Sequence, residues 1–282
     1  MWSAWSVATR GTLHAFGGQL DVADLVALRF LVAGLIALPV ALAHPPPLGR
    51  LGPWRAVAAA GFGGFTFSLC NTGGLAFAPA AHAGALTAPM GAVFTGLLAA
   101  FVLDEHLSRR RVAGLLFIVA GALVLLAATM ATGLPRAVFI GHALFLAAAL
   151  QWSVFTVLIR GAGLMPLEAL SLCCLGSAVL YLPAWLVLRG PGGLLAVSWP
   201  VLGVQGMLHG VVGQTLSVVL FNLGVVRLGA ARAASCGALV PLLVALGAAL
   251  FLAEPPSVAE MPGLLAISLG VWLAARPARE AA

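Results

Sequence analysis

The chain contains no lysine, a single tyrosine and few charged residues of any kind. Charged residues make up 8% of its 282 positions, whereas an average soluble domain has about 25%. Apolar residues make up 62%, and the mean hydropathy is +1.11. Such a chain must have lipid as its main solvent, which predicts a polytopic membrane protein. All 14 basic residues are arginine. Together with the excess of alanine, glycine and proline, this indicates a GC-rich genome and not a nucleic-acid-binding surface.

Catalytic signatures are also missing. The chain has no HExxH, no G-x-S-x-G and no pair of aspartates in the middle of an apolar run, and without lysine it can form neither a Walker A motif nor a Schiff base. Its four cysteines fall inside apolar runs, where they act as small hydrophobic residues and not as a disulfide framework. We therefore predict that the protein is not an enzyme, needs no cofactor and binds no metal or nucleic acid.

Apolar runs of membrane-spanning length fill the chain. A bilayer core of about 30 Å needs about 20 helical residues, and backbone groups in lipid must pair within their own segment. We therefore predict an all-α polytopic membrane protein with ten transmembrane helices. The predicted helices are approximately 1 to 16, 24 to 43, 54 to 76, 79 to 103, 111 to 129, 138 to 160, 166 to 188, 199 to 222, 230 to 252 and 258 to 275.

The two halves of the chain repeat each other. WSVAT at residues 5 to 9 returns as WSVFT at 152 to 156, 147 positions later. The series Glu105, Gly114, Gly121 returns as Glu254, Gly263, Gly270, each 149 positions later. Five helices thus repeat as five helices, at 1 to 132 and 133 to 282. An odd number of helices per repeat inverts the second copy in the membrane, as in many secondary transporters.

The two copies differ at their beginning. About fourteen apolar residues separate Val138 from Trp152, whereas only four residues precede Trp5. We expect the first helix to be incomplete at its N-terminus in this chain and to begin about ten residues upstream.

These features resemble the drug/metabolite transporter superfamily, and within it the ten-helix EamA-type transporters. The resemblance rests on the glutamate after the fourth helix, the spaced glycines of the fifth, and a second copy ending in LVPLLVALGAALFLAE at 239 to 254. One departure is that Pro89 lies 16 residues before Glu105 but Pro241 only 13 before Glu254, so the first copy carries about one extra turn.

The resemblance implies two inverted repeats around a central cavity, with the first and sixth helices among those lining it. It also implies export of small amphipathic metabolites by alternating access, such as aromatic or other amino acids and aromatic or cationic drugs. A flippase for a lipid or lipid-linked precursor is the alternative, because such proteins also use duplicated helices. A basic groove on one side of the cavity would favour the flippase.

Two tryptophans are candidates for binding a substrate. Trp5 and Trp152 are equivalent in the repeat, and each has a threonine four residues later, Thr9 and Thr156, on the same helical face. They predict a site for a molecule with a flat apolar body and either weak net charge or a cation over an indole face. Replacing either tryptophan by alanine is then expected to cost about 1 to 3 kcal/mol of substrate binding. Packing between helices is the structural alternative.

Histidines and amides supply the remaining candidates. His82 lies early in the fourth helix, and Gln205 and His209 form a polar stripe with Ser217 on the eighth. A lone membrane histidine is often only a hydrogen-bonding partner between helices, so the stripe is either a packing seam or a cavity wall. No carboxylate lies at the middle of a predicted helix, which disfavours proton coupling through an acid. Weak coupling through His82 or His209 stays open.

Arginine placement predicts the orientation. If both termini are cytoplasmic, the inner loops and C-terminal tail hold ten arginines and the outer loops hold only Arg136 and Arg189, in agreement with the positive-inside rule. The expected location is the bacterial inner membrane, with lipids and a small-molecule substrate as partners. Oligomeric state is left open, and a monomer fits. Arg29, inside the second helix, is expected either to pair with Asp21 or Asp24 or to line the substrate path.

Overall fold

The structure is a computed structural model, and it describes residues 2–46, 48–133, 135–228 and 236–276. These residues form ten long helical segments, two four-residue helices in the connections (Leu48–Leu51 and Gly192–Leu195) and no strand. The segments are α1 (Trp2–Phe16), α2 (Val22–Ala43), α3 (Pro53–Ala60, Gly61–Phe65 and Thr66–Phe77), α4 (Ala80–Val102), α5 (Arg109–Ala131), α6 (Ala137–Gly161), α7 (Pro166–Leu188), α8 (Trp199–Gly206, Met207–Leu216 and Ser217–Leu228), α9 (Gly237–Phe251) and α10 (Met261–Ala275).

The predicted all-α polytopic fold is confirmed. Five of the described helices, α2, α4, α5, α6 and α7, are long and apolar enough to cross a membrane on their own, and α9 and α10 are shorter apolar helices. Most predicted boundaries agree with the observed ones within three residues, but α8 continues to Leu228, six residues beyond its predicted end. The first part of the predicted ninth helix, 230 to 235, lies outside the described residues.

Helix packing follows the repeat. Helix α2 packs on α7, α4 on α9 and α5 on α10, so each pairs with its counterpart five helices later. Helix α1 packs on α8 and α9, just as α6 packs on α3 and α4. Exchanging the two halves leaves this set of contacts unchanged, as expected of two copies related by a pseudo-twofold axis.

Glycines explain why α5 and α10 approach so closely. A Cβ on Gly114 would lie 2.7 Å from the carbonyl oxygen of Gly270, and one on Gly121 would lie 2.7 Å from that of Gly263. The contacts are reciprocal, since Gly263 and Gly270 meet the same backbone from the other side. The repeat equates Gly114 with Gly263 and Gly121 with Gly270. Gly114 therefore contacts the counterpart of Gly121, and Gly121 contacts the counterpart of Gly114. Such crossed contacts require antiparallel helices, and they are the strongest evidence for the inversion.

The ends of α4 and α9 are also copies of each other. Asp104 and Ala253 both have positive φ, 52° and 54°, and the following glutamate in each case donates its backbone N–H to a carbonyl six residues earlier, at 3.2 and 3.1 Å. Each glutamate side chain then forms an ion pair, Glu105 with Arg160 of α6 and Glu254 with Arg10 of α1, the latter at 2.9 Å. These contacts agree with a structural role for both glutamates.

Two membrane faces follow from this arrangement. We call the face that carries the α1–α2, α7–α8 and α9–α10 connections the Arg189 face, and the opposite face, which carries the α4–α5 and α6–α7 connections, the Arg160 face. Arg189 pairs with Asp21, and the indole N–H of Trp185 donates to Asp24 at 3.0 Å. A cavity of about 280 Å³ lies beside these groups, lined by Asp21, Asp24 and Arg189. It opens at the Arg189 face and not between the two repeats at mid-membrane.

Candidate functional site

Helix α8 contains a π-helical segment, Met207–Leu216, and α3 is kinked at the equivalent place, Gly61–Phe65, where Gly64 has non-helical backbone angles (φ −123°, ψ −111°). π-Helical segments are frequent at functional sites because they widen the helix locally. Both stretches carry the pattern G-x-x-G-x-T, at 61 to 66 and 210 to 215, again 149 residues apart. In each, the threonine hydroxyl donates to the carbonyl five residues earlier, at 2.9 Å for Thr66 and 3.1 Å for Thr215. This pattern is a sequence signal for paired irregular helices.

The π segment of α8 receives Trp5 from α1. A Cβ on Gly213 would lie 2.4 Å from Cδ1 of Trp5, so only glycine leaves room for the indole there. The Trp5 ring is 5% exposed, and its Nε1–H donates to Nδ1 of His209 at 3.1 Å. The two rings meet edge to face with centroids 6.2 Å apart. Two residues predicted separately, on α1 and α8, therefore belong to one cluster.

Arg29 of α2 completes this cluster. Its guanidinium carbon lies 4.8 Å from the centroid of the Trp5 ring, a cation–π contact. Its Nε donates to Oε1 of Gln214 at 3.1 Å, and Nη2 donates to the same oxygen. We call Trp5, Arg29, His209 and Gln214 the central cluster. It joins α1 and α2 of the first repeat to α8 of the second.

The depth of the central cluster matches a transport site. At 1.5 Å per residue, Trp5 and His209 lie about 15 Å along α1 and α8 from the Arg189 face, and Arg29 about 10 Å along α2. A hydrocarbon core is about 30 Å thick, so the cluster lies near mid-membrane. Inverted-repeat transporters bind their substrates at this depth, between the repeats.

Two polar atoms of the central cluster have no hydrogen-bond partner among the described residues. They are Nη1 of Arg29 and Nε2 of His209, both fully buried. Buried polar groups are nearly always paired, so unpaired ones indicate a missing partner or a functional role. Arg29 itself is 5% exposed, and within the described part of the chain no carboxylate lies within ion-pair distance of it.

The structure corrects the expected ion pair of Arg29. Asp21 binds Arg189 and Asp24 binds Trp185, so neither acid is its partner. Gln214 was not selected from the sequence as a site residue or connected to Arg29. The side chains are 185 residues apart, and the π segment sets the direction of Gln214. Position 214 corresponds to Phe65 in the first repeat. This replacement of an aromatic residue by an amide is the sequence signal that could have identified Gln214 as a site residue.

Trp152, Thr9 and Thr156 do not belong to the central cluster. Trp152 is partly buried and packs against the tilted rings of Phe67 and Phe155, with both centroid distances 5.3 Å. The hydroxyls of Thr9 and Thr156 donate to the carbonyls of their own tryptophans, at 2.7 and 2.8 Å. Trp152 thus belongs to an aromatic group between α3 and α6, apart from the central cluster. A role in substrate binding for Trp152, Thr9 and Thr156 stays a prediction.

The polar stripe of α8 faces α1. Gln205 accepts a hydrogen bond from the Thr12 hydroxyl at 3.0 Å, one turn from the Trp5–His209 contact. The Ser217 hydroxyl donates to the carbonyl of Val212 within its own helix. Gln205 and His209 therefore make polar contacts between the two repeats. Such contacts are compatible both with a packing seam and with a cavity wall.

His82 lies in a different cluster, at the Arg189 face. Its Nε2 is 2.9 Å from a carboxylate oxygen of Glu260, and its Nδ1 is 2.8 Å from Nε2 of His142. All three side chains are buried, and they join α4, α6 and the start of α10. Sequence reasoning did not select His142 or Glu260, because the acid lies at a segment end. The hydrogen bond from His82 lowers the pKa of the Glu260 carboxyl below its ordinary value of 4.5.

This carboxylate predicts acid sensitivity. A lowered folded-state pKa stabilises the fold above the unfolded pKa, and that contribution is lost as the pH falls through the folded value. Glu260→Gln should reduce the free energy of unfolding at neutral pH by about 1 to 3 kcal/mol, and the difference from the wild type should shrink as the pH falls below 4.5. Thermal unfolding in detergent across this range measures it. Asp104→Asn, at an exposed carboxylate, is the control, and a difference that is independent of pH would contradict the assignment.

The geometry defines a class before any relative is considered. Two inverted helical repeats meet at a cluster of an indole, a guanidinium, an imidazole and an amide, an arrangement found among membrane transporters built from inverted repeats. The EamA-like transporter family matches residues 1–127 and 139–276, nearly the whole chain. The protein therefore belongs to the EamA-like transporter family, as the resemblance implied.

Two further comparisons agree with this family. The chain is 33% identical over 183 residues to the aromatic amino acid exporter YddG of Ancylobacter novellus, and the match covers 64% of this chain and 61% of that exporter. A solved crystal structure superposes with a TM-score of 0.59 at 26% identity, covering 96% of this chain and 94% of the other. These relatives confirm the fold class and a multi-pass membrane transporter.

Proposed function

We propose that the protein is a bacterial inner-membrane secondary transporter that exports small amphipathic metabolites, aromatic amino acids among them, by alternating access. The observation that carries the proposal is the central cluster, in which Trp5 of one repeat binds His209 of the other at mid-membrane. A rocking motion of one repeat against the other would break this contact and expose its groups to alternate faces. The similarity to an aromatic amino acid exporter supports the same substrate class.

The proposed orientation has the Arg160 face in the cytoplasm. Ten arginines against two support it, although Arg232 and Arg279, two of the ten, lie outside the described residues. Single cysteines placed in 44 to 50 and in 189 to 193 should then label from opposite sides of the intact membrane, the second from outside. Labelling of both from the same side would contradict the inverted repeat, and labelling of the first from outside would reverse the orientation.

Counterflow tests the transport proposal. Proteoliposomes loaded with unlabelled tryptophan should accumulate radiolabelled tryptophan from outside, and the same vesicles without protein should not. Phenylalanine, an aliphatic amino acid, an aromatic cation and a fluorescent lipid-linked precursor complete the panel. Movement of the lipid precursor without counterflow of any amino acid would favour the flippase. Absence of both with folded protein would contradict the proposal.

A further inference from the structure

The unpaired donors of the central cluster define the chemistry of its ligand. Because the indole of Trp5 can only donate, Nδ1 of His209 must be the acceptor in their 3.1 Å hydrogen bond. Neutral His209 therefore carries its proton on Nε2, and this N–H has no partner. Nη1 of Arg29 has no partner either. Within the described part of the cluster, the Nε2–H of His209 and the N–H groups on Nη1 of Arg29 therefore have no hydrogen-bond acceptor.

The charge of Arg29 is also uncompensated. A buried guanidinium is ordinarily paired with a carboxylate, because an isolated charge in a low-dielectric interior costs several kcal/mol. The neutral amide oxygen of Gln214 accepts from Arg29, but it supplies no negative charge. The acids nearest in sequence are engaged at the Arg189 face. A ligand with one negative charge and two acceptor oxygens would complete the site.

We infer that Arg29 and His209 form a carboxylate subsite of the transport site, and that the substrate is an aromatic or similarly apolar molecule carrying a free carboxylate. The inference rests on the proposed function and narrows its substrate class. The carboxylate accepts from Nη1 of Arg29 and Nε2 of His209. Trp5 contacts both residues, through a cation–π contact with Arg29 and a hydrogen bond to His209. The apolar body of the substrate then packs beside the cluster.

The same geometry disfavours cationic substrates. A cation over an indole face was one of the two substrate types that the sequence predicted, but Arg29 already occupies a face of Trp5 at 4.8 Å. An organic cation would have to displace a buried guanidinium or lie next to it, and like charges in this environment repel strongly. The central cluster therefore selects for the carboxylate and against an amine that lacks one.

Three indole compounds separate these contributions. Tryptophan carries both a carboxylate and an amine, indole-3-propionate only the carboxylate and tryptamine only the amine. The wild type should bind tryptophan and indole-3-propionate and transport them in counterflow, and it should bind tryptamine at least tenfold more weakly. Binding is measured by isothermal titration in detergent, which does not depend on transport.

Arg29→Met is the decisive variant, because it removes the charge while keeping an unbranched apolar stem that can fill the space. Replacing a buried ionic group by an apolar one is often neutral or stabilising, so the variant should fold. It should bind tryptophan and indole-3-propionate about ten- to a hundredfold more weakly and lose the preference over tryptamine. Arg29→Lys, which keeps the charge without the planar fork, should retain part of the preference. Arg55→Gln, at an exposed arginine, is the control.

The outcomes separate the two proposals. Binding of indole-3-propionate that depends on Arg29, without counterflow of any compound, would support the subsite and overturn the transport function. Equal binding of tryptamine and indole-3-propionate by the wild type, or an equal loss of both in Arg29→Met, would overturn the subsite and leave transport standing. Failure of the folded wild type to bind any of the three would also overturn the subsite.

Discussion

Replacing Gly121 by valine is expected to prevent α5 from packing against α10 and to abolish accumulation of folded protein in the membrane. A Cβ at this position would lie 2.7 Å from the carbonyl oxygen of Gly263 and 2.9 Å from the backbone N of Ile267. These are backbone atoms of a helix, so they cannot turn aside as a side chain can. Overpacking costs about 1 to 3 kcal/mol and occasionally more, and we expect the upper end here because backbone atoms must move. This is a large fraction of the stability of a typical domain.

The matched control is Gly203→Val in α8, because Gly203 also lies in a helix and a Cβ there meets nothing within 4 Å. Gly270→Val should be as damaging as Gly121→Val, since the repeat equates the two positions and a Cβ on Gly270 would lie 2.7 Å from the carbonyl oxygen of Gly114. Membrane yield and detergent size-exclusion profiles measure the effect. If Gly121→Val matches Gly203→Val, the close α5–α10 contact is wrong.

These glycines show why so much of the fold could be predicted from the sequence. Membrane helices are marked by their length and hydropathy, and the spacing of Gly114 and Gly121 returns in Gly263 and Gly270 because both copies must make the same close contact. Long apolar runs and duplicated small residues are local signals that need no knowledge of tertiary structure. The kink of α3 and the π segment of α8 were not predicted, because a local irregularity leaves the apolar composition of a helix unchanged.

The candidate site was predicted only in part. Trp5 was selected because the repeat makes it equivalent to Trp152, and His209 because it is a titratable group near the centre of an apolar helix. Their direct contact depends on the π segment and on Gly213, neither of which the helical period reveals. Arg29 was recognised as a buried charge, but nearby acids in the sequence obscured its distant partner, Gln214. The sequence therefore did not show which side chains of one repeat contact which side chains of the other. The symmetry of the repeat identified only the helices on which those side chains lie.

Unequal effects are expected from the two repeated tryptophans. Trp5→Ala removes the ring under Arg29 and the donor that fixes His209, and it should weaken tryptophan binding by about 2 kcal/mol, or about thirtyfold. Trp152 packs on Phe67 and Phe155 away from the central cluster. Trp152→Ala should therefore change binding much less than the 1 to 3 kcal/mol expected from the sequence repeat alone. Counterflow and isothermal titration of both variants measure the difference.

Trp5→Phe tests the same contact with less risk to folding, because replacing a buried tryptophan by alanine can cost about 3 kcal/mol or more of stability. Phenylalanine keeps an aromatic face for Arg29 and loses only the N–H that holds Nδ1 of His209 as an acceptor. Without that donor, His209 is free to place its proton on either nitrogen, and the substrate carboxylate loses a fixed partner. Trp5→Phe should therefore fold normally and bind tryptophan about fivefold more weakly, corresponding to about 1 kcal/mol for one hydrogen bond. Equal losses in Trp5→Phe and in Trp152→Phe would show that aromatic packing, and not the orientation of His209, determines binding.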